Sequence, residues 1–132
     1  MRVKLLLLLI TIVFINSCDD ERLTLADLDG TYEGNFIRSS PYAKYAPAQV
    51  TLTFAKGQFQ GASEKTKYPA ICNGTYEVEG DKVEFINTCI WTAEFDWSLI
   101  LSGEFYIEFE ANTLTLQRKN GDITDLYQLK RK

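Results

Sequence analysis

The stretch Trp97-Ser98-Leu99-Ile100-Leu101-Ser102-Gly103-Glu104-Phe105-Tyr106-Ile107-Glu108-Phe109 decides the fold. Every second residue (Trp97, Leu99, Leu101, Gly103, Phe105, Ile107, Phe109) is apolar or glycine, and the set between them is mostly polar. A period of two predicts one strand with a single buried face. The strand is longer than an ordinary sheet strand, and Gly103 offers it a place to bend or bulge. Such a strand belongs in a strongly coiled sheet or a barrel.

Toward the C-terminus, Ala111-Asn112 predicts a turn, followed by a strand with Leu114, Leu116 and Arg118 on one face. Asn120-Gly121 is the strongest hairpin signal in the chain and predicts a type I′ turn. That turn would pair Arg118 with Ile123, Leu116 with Asp125 and Leu114 with Tyr127. The last strand runs into Lys130-Arg131-Lys132, expected to be a solvated terminus.

Toward the N-terminus, residues 90–96 form a connection in which Trp91 and Phe95, four apart, would stack on one side of a helical turn. Two strands flank Gly80-Asp81, which suits a type II′ turn. That turn sets Glu79 against Lys82, Val78 against Val83, Tyr76 against Phe85 and Gly74 against Asn87. Continued, it sets Cys72 against Cys89 at a non-hydrogen-bonded position, about 4.5 Å apart at Cα. The turn and the cysteines are independent signals, and together they predict a disulfide. Tyr76 and Asn87, inward in this register, read as satisfied core polar groups.

Earlier still, Gly30 to Ile37 reads as a strand with Tyr32, Gly34 and Phe36 on one face. Arg38 to Pro47 reads as a loop, Val50 to Phe54 as a strand, Lys56-Gly57 as a turn before a strand carrying Phe59, and residues 63–71 as a loop. Thr24 to Leu28 predicts one helical turn capped by Thr24, with Leu25 and Leu28 plugging one end of the sheet.

Eight strands in a meander result. The tight connections 2–3, 4–5 and 6–7 share one end, and the long connections 1–2, 3–4 and 5–6 share the other with the tight 7–8 turn. A meander that removes its edges by closing is an antiparallel up-and-down barrel. At eight strands the interior either fills with side chains or holds one small ligand.

The chain has 132 residues, enough for one domain. Residues 1–17 stand apart: Arg2 and Lys4 open them, and Leu5 to Ile15 is apolar except for Thr11. Eleven residues are too few for a spanning helix, which needs about 20, and they fit the apolar segment of an export signal. Losing Arg2 and Lys4 with that segment would leave 12 basic against 18 acidic side chains, net −6. That balance disfavours nucleic acid and anionic membrane surfaces as partners. There is no histidine, so the commonest general base and metal ligand is missing. No phosphate loop or nucleophile elbow is present, and nothing points to a cofactor, a metal or an enzyme.

Several of these features carry resemblances. Ile15-Asn16-Ser17-Cys18 resembles a bacterial lipobox, which implies that Cys18 is acylated and becomes the mature N-terminus. Residues 18–27 would then be a tether and 28–132 the barrel domain. Asp19-Asp20-Glu21 is similar to the surface-export signal of some Gram-negative lipoproteins, and reads equally as a solvated acidic tether. Several acyl chains on one residue anchor stably where one would not. An outer-membrane lipoprotein of the bacterial envelope is the expected address. The order of strands and loops, with Gly30-Thr31-Tyr32 standing where lipocalins carry Gly-x-Trp, resembles a lipocalin-like (calycin-type) barrel. Residues 91–97 and 99–105 are similar to the signature of a group of small exported lipoproteins. The resemblance implies binding of small hydrophobic or amphipathic molecules, and the family also contains binders of proteins. Fold alone does not choose between them.

Three groups of side chains are candidates for a site. Arg118 and Asp125 would project to the apolar face as diagonal neighbours with Tyr127 alongside. This is similar to the carboxylate clamp of fatty-acid-binding barrels, but the simpler reading is an internal ion pair that satisfies itself, or a charge at the mouth reaching solvent, because a paired charge needs no ligand. Tyr42, Tyr45, Tyr68, Trp91 and Phe95 gather in the long loops, where they would rim a pocket, form a sticky patch or fold back as a lid. Lys44, Lys65 and Lys67 near them would attract an anionic ligand or keep the rim soluble. Glu94 and Asp96 read as part of a polar loop.

Overall fold

The computed structural model describes residues 22–132. The stretch read as an export segment, Cys18 and the acidic run after it lie outside the described residues. Eight antiparallel strands close into one barrel in chain order: β1 (Gly30–Ser39), β2 (Ala48–Ala55), β3 (Gln58–Ser63), β4 (Asn73–Glu79), β5 (Lys82–Asn87), β6 (Gly103–Glu110), β7 (Thr113–Asn120) and β8 (Ile123–Arg131). Closure comes from β1 against β8, paired from Tyr32↔Arg131 to Ser39↔Thr124.

The interior follows from alternation. Tyr32, Phe36, Leu52, Phe54, Tyr76, Phe85, Phe105, Leu114, Leu116 and Tyr127 are all essentially sealed from solvent. Their rings meet edge to face: Phe54 lies 5.0 Å from Tyr76, Phe59 5.2 Å from Phe85, and Phe105 5.9 Å from Tyr127. Each buried ring stabilises by roughly 1.5–3 kcal/mol relative to exposure, with a further contribution from these geometries.

The decisive stretch is a strand for only part of its predicted length. β6 begins at Gly103, where φ is +86°, a backbone that residues with a side chain rarely adopt. Upstream, Trp97–Leu99 forms a 3₁₀ turn, and the Asp96 carboxylate accepts from Ser98 N–H at 2.9 Å. This local capping outcompetes extension. Trp97 is therefore 55% exposed, whereas Leu101, Phe105 and Ile107 keep the inward face.

The β4–β5 register holds as expected, from Glu79↔Lys82 to Gly74↔Asn87. Cys72 and Cys89 are disulfide-bonded, but they lie just beyond the ladder with Cα atoms 6.3 Å apart, wider than the facing position predicted. Thr88 N–H still donates to Asn73 O there, while Gly61 N–H draws Cys72 O toward β3. The bond closes a loop over a separation of 17 residues, worth about 3 kcal/mol by chain entropy.

The β7–β8 register differs by two residues from the one expected. Asn120 pairs with Ile123, so the central residues are Gly121 and Asp122, and only Gly121 has positive φ (+60°). A type I′ turn on Asn120-Gly121 needs positive φ at both, and Asn120 is held in the ladder instead. Leu116 faces Tyr127 and Arg118 faces Asp125 directly rather than diagonally. A shift of two preserves the face of every side chain.

The closed end carries the turns 56–57, 80–81 and 111–112 and the helical turn α1 (Leu25–Leu28). Asp27 accepts from the backbone and hydroxyl of Thr24, which holds its carboxyl below the usual range. Leu28 is fully buried, whereas Leu25 stays 39% exposed, so one leucine plugs the barrel and not two. Tyr32 donates to Leu28 O at 2.9 Å. The C-terminal cations are not a free solvated tail: Arg131 donates to Asp27 O and Tyr32 Oη and lies over the Tyr32 and Phe109 rings. Lys132 pairs with Glu33. Tyr76, expected to be satisfied, has a buried hydroxyl without a partner.

Candidate functional site

At the opposite end the barrel mouth is crossed by a row of charges. Arg38, Asp125 and Arg118 occupy matching positions on β1, β8 and β7, so their side chains point to the same side of the wall. Sequence reasoning placed Arg38 in a loop. β1 in fact runs two residues further, and the inward alternation Tyr32, Phe36 simply continues to Arg38. That alternation was the available signal, masked by Ser39-Ser40-Pro41 immediately after it.

Arg38 grips Asp125 with two parallel bonds, Nε to Oδ1 at 2.7 Å and Nη2 to Oδ2 at 2.9 Å. Its other donors reach Asp96 Oδ2 at 3.1 Å and Ser98 O at 3.2 Å. The forked geometry suits a carboxylate, and Asp125 beside it holds the guanidinium above its usual range. Arg118 approaches from the other side, donating to Ser102 O at 2.6 Å, Ser98 O at 2.7 Å and Asp125 Oδ2 at 3.3 Å. Its guanidinium lies 4.4 Å from the centre of the Phe105 ring, a cation–π distance. Two cations face Asp125 and the half-exposed Asp96, so the row is balanced within itself. Hydrogen bonding from Ser98 comes first among the causes that lower the Asp96 carboxyl.

The same bonds fasten residues 96–102 across the mouth. Ser98 O receives both arginines and Ser102 O receives one. Leu101 is buried beneath them, and its N–H donates to Ala70 O at 2.9 Å. Tyr127 lies fully buried on β8 below the charges, and burial pushes its phenol up.

The aromatic residues of the loops divide into two groups. Tyr68 folds back onto Phe36 at 5.5 Å, with Tyr45 stacked on it at 6.4 Å. Tyr42 does not join them and is 84% exposed. Across the mouth, Trp91 meets Phe95 at 5.7 Å, but in an irregular segment and not on a helical turn. Lys67 lies over Phe95 and pairs with Glu94 at 3.6 Å. Glu94 and Asp96 thus serve different cations. Among the described residues no group of three His, Cys, Asp or Glu side chains could hold a metal.

Trp91, Trp97, Ile90, Ile100 and Arg118 line a cleft of about 440 Å³ beside the disulfide. Trp97 Nε1 donates to Thr92 O at 2.8 Å, whereas Trp91 Nε1 is buried without a partner. Ile90 is 98% exposed at its edge. Neither Ile90 nor Trp97 was singled out for this cleft from the sequence. Trp97 was expected to face inward, and the 3₁₀ turn is what brings it to the rim.

No family model, curated protein or solved structure matches this chain.

Proposed function

We propose that this is a lipid-anchored protein of the bacterial envelope, with a lipocalin-like barrel serving as a packed scaffold and an open-end rim that contacts a protein or polymer partner. One observation carries the reading. Apolar side chains that could form a ligand cavity are spent on filling the interior, while at the mouth Ile90 and Trp97 stand exposed beside one cleft and Tyr42 stands exposed on the β1–β2 loop. Exposed apolar groups gathered at one end are the usual mark of a contact surface. The internal arginine–aspartate row needs no ligand charge to balance it, which also favours contact at the rim over capture inside.

A photo-crosslinking residue at Ile90, introduced into the protein in its own envelope, tests this. A discrete adduct there, absent when the same residue replaces Thr115 on the outer wall, is the expected result. Equal or absent crosslinking at both positions overturns the reading.

A second reading rests on the cleft beside the disulfide. Its size and the unpartnered Trp91 Nε1 suit a small amphipathic molecule that offers an apolar body and a hydrogen-bond acceptor. Native mass spectrometry of the mature chain separates the two readings: a bound small molecule that is lost on Trp91→Phe supports the cleft.

A further inference from the structure

The two ends of the barrel stand at very different distances from the anchor. This inference rests on the proposed acylation of Cys18. Arg22 and Leu23 lie at the closed end, where they share a cleft of about 1010 Å³ with Asp81, Phe109 and Glu110 of the tight turns. Cys18 stands four residues before Arg22, and four residues fully extended span at most about 14 Å. The wall between the ends is longer. β1 has ten residues and β2 eight. At about 3.3 Å per residue and a tilt near 40°, these rise roughly 20–25 Å before the mouth loops begin. A barrel standing mouth-down would leave its anchor short of the membrane.

Lying sideways is opposed by charge. The wall nearest the exit of the chain carries Glu77, Glu84 and Glu104 directly opposite one another on β4, β5 and β6. All three are exposed, and Lys82 pairs with only one of them. Anionic headgroups repel such a wall, whereas the closed end mixes both signs, with Arg22, Lys56 and Arg131 among Asp27, Asp81 and Glu110.

We infer that the anchored barrel stands with its closed end toward the lipid surface and its mouth pointing away, so that the rim of Ile90, Trp97 and Tyr42 is out of reach of the membrane that holds it. The rim is then not a device for entering that bilayer, and its partner arrives from the aqueous phase.

Both tryptophans of the chain, Trp91 and Trp97, sit at the mouth, which makes them native reporters. The full acylated protein is reconstituted into phosphatidylglycerol/phosphatidylethanolamine vesicles with brominated acyl chains, which quench nearby indoles. The native tryptophans keep their emission. A variant with Trp91→Phe, Trp97→Phe and Asp81→Trp, its circular dichroism unchanged, loses most of its emission because its only indole is at the closed end. A floating, acylated chain whose native tryptophans are quenched overturns the orientation alone. A chain that carries no acyl group on Cys18 and does not float overturns the anchor reading and the orientation with it.

Discussion

The two ends of this barrel are sealed by different physics. The closed end uses an apolar plug: Leu28 fills the interior, Tyr32 bonds to its carbonyl, and Arg131 lies over Tyr32 and Phe109 from outside. The mouth uses a charge row, Arg38–Asp125–Arg118, that ties a crossing segment down through Ser98 and Ser102. An apolar plug loses stability in proportion to what is removed from it. A buried charge row fails as a unit, because each partner left behind is an uncompensated charge.

Breaking the row should have the largest effect. Asp125→Ala leaves the buried Arg38 guanidinium without its carboxylate and should cost about 3–5 kcal/mol, measured as a drop in the urea midpoint. Arg38→Met with Asp125→Leu should recover most of that loss, since an apolar pair of similar volume needs no partner. If the double variant is no better than Asp125→Ala, the mouth is held by something other than charge.

Leu28→Ala at the other end should cost about 3 kcal/mol with no rescue by charge substitutions. A matched pair then sharpens the contrast between satisfied and unsatisfied polar groups. Tyr32→Phe removes the bond to Leu28 O and should destabilise by about 1 kcal/mol, whereas Tyr76→Phe removes an unpartnered hydroxyl and should stabilise by about 1 kcal/mol. Burial pushes the Tyr76 phenol up to about 12. The phenol adds no pH dependence below the ordinary value of 10, and it lowers stability as pH rises from there toward 12, because over that window only the unfolded chain releases the proton. Alkaline unfolding curves of the two phenylalanine variants check the sign.

The smallest effect concerns Asp96. Its lowered carboxyl gives stability that is present above the ordinary aspartate value, about 4, and lost as pH falls through the folded value. Asp96→Asn should flatten the acid limb of the stability curve by lowering the neutral plateau slightly while leaving the acid end nearly unchanged. An unchanged acid limb would assign that slope to other carboxylates.

The difference between the ends also explains what the sequence made legible. The strand order, the closed end and the disulfide are written in local signals: alternation, two-residue turns, and a helical turn opened by Thr24. The β4–β5 register could be read because Gly80 determines one turn unambiguously. Around Asn120-Gly121 two turns one residue apart are available, giving registers that differ by two, and the choice is made by the pairing of β8 with both β7 and β1. Arg38 and Asp125 are 87 residues apart, so no local pattern joins them. Trp97 kept the period of a strand while Asp96 supplied a competing cap, and a periodicity argument weighs the first and ignores the second.

Closure by β8 has a consequence for how the molecule is made. That strand completes the walls of both β1 and β7, so no ring exists until residues 123–131 have been made. Every earlier length of chain is an open sheet with two unpaired margins, prone to pairing with other chains. Topologies dominated by such distant pairings form in milliseconds to seconds. On the proposal that the chain is exported, a fold that cannot finish before its last strand arrives leaves it threadable until then.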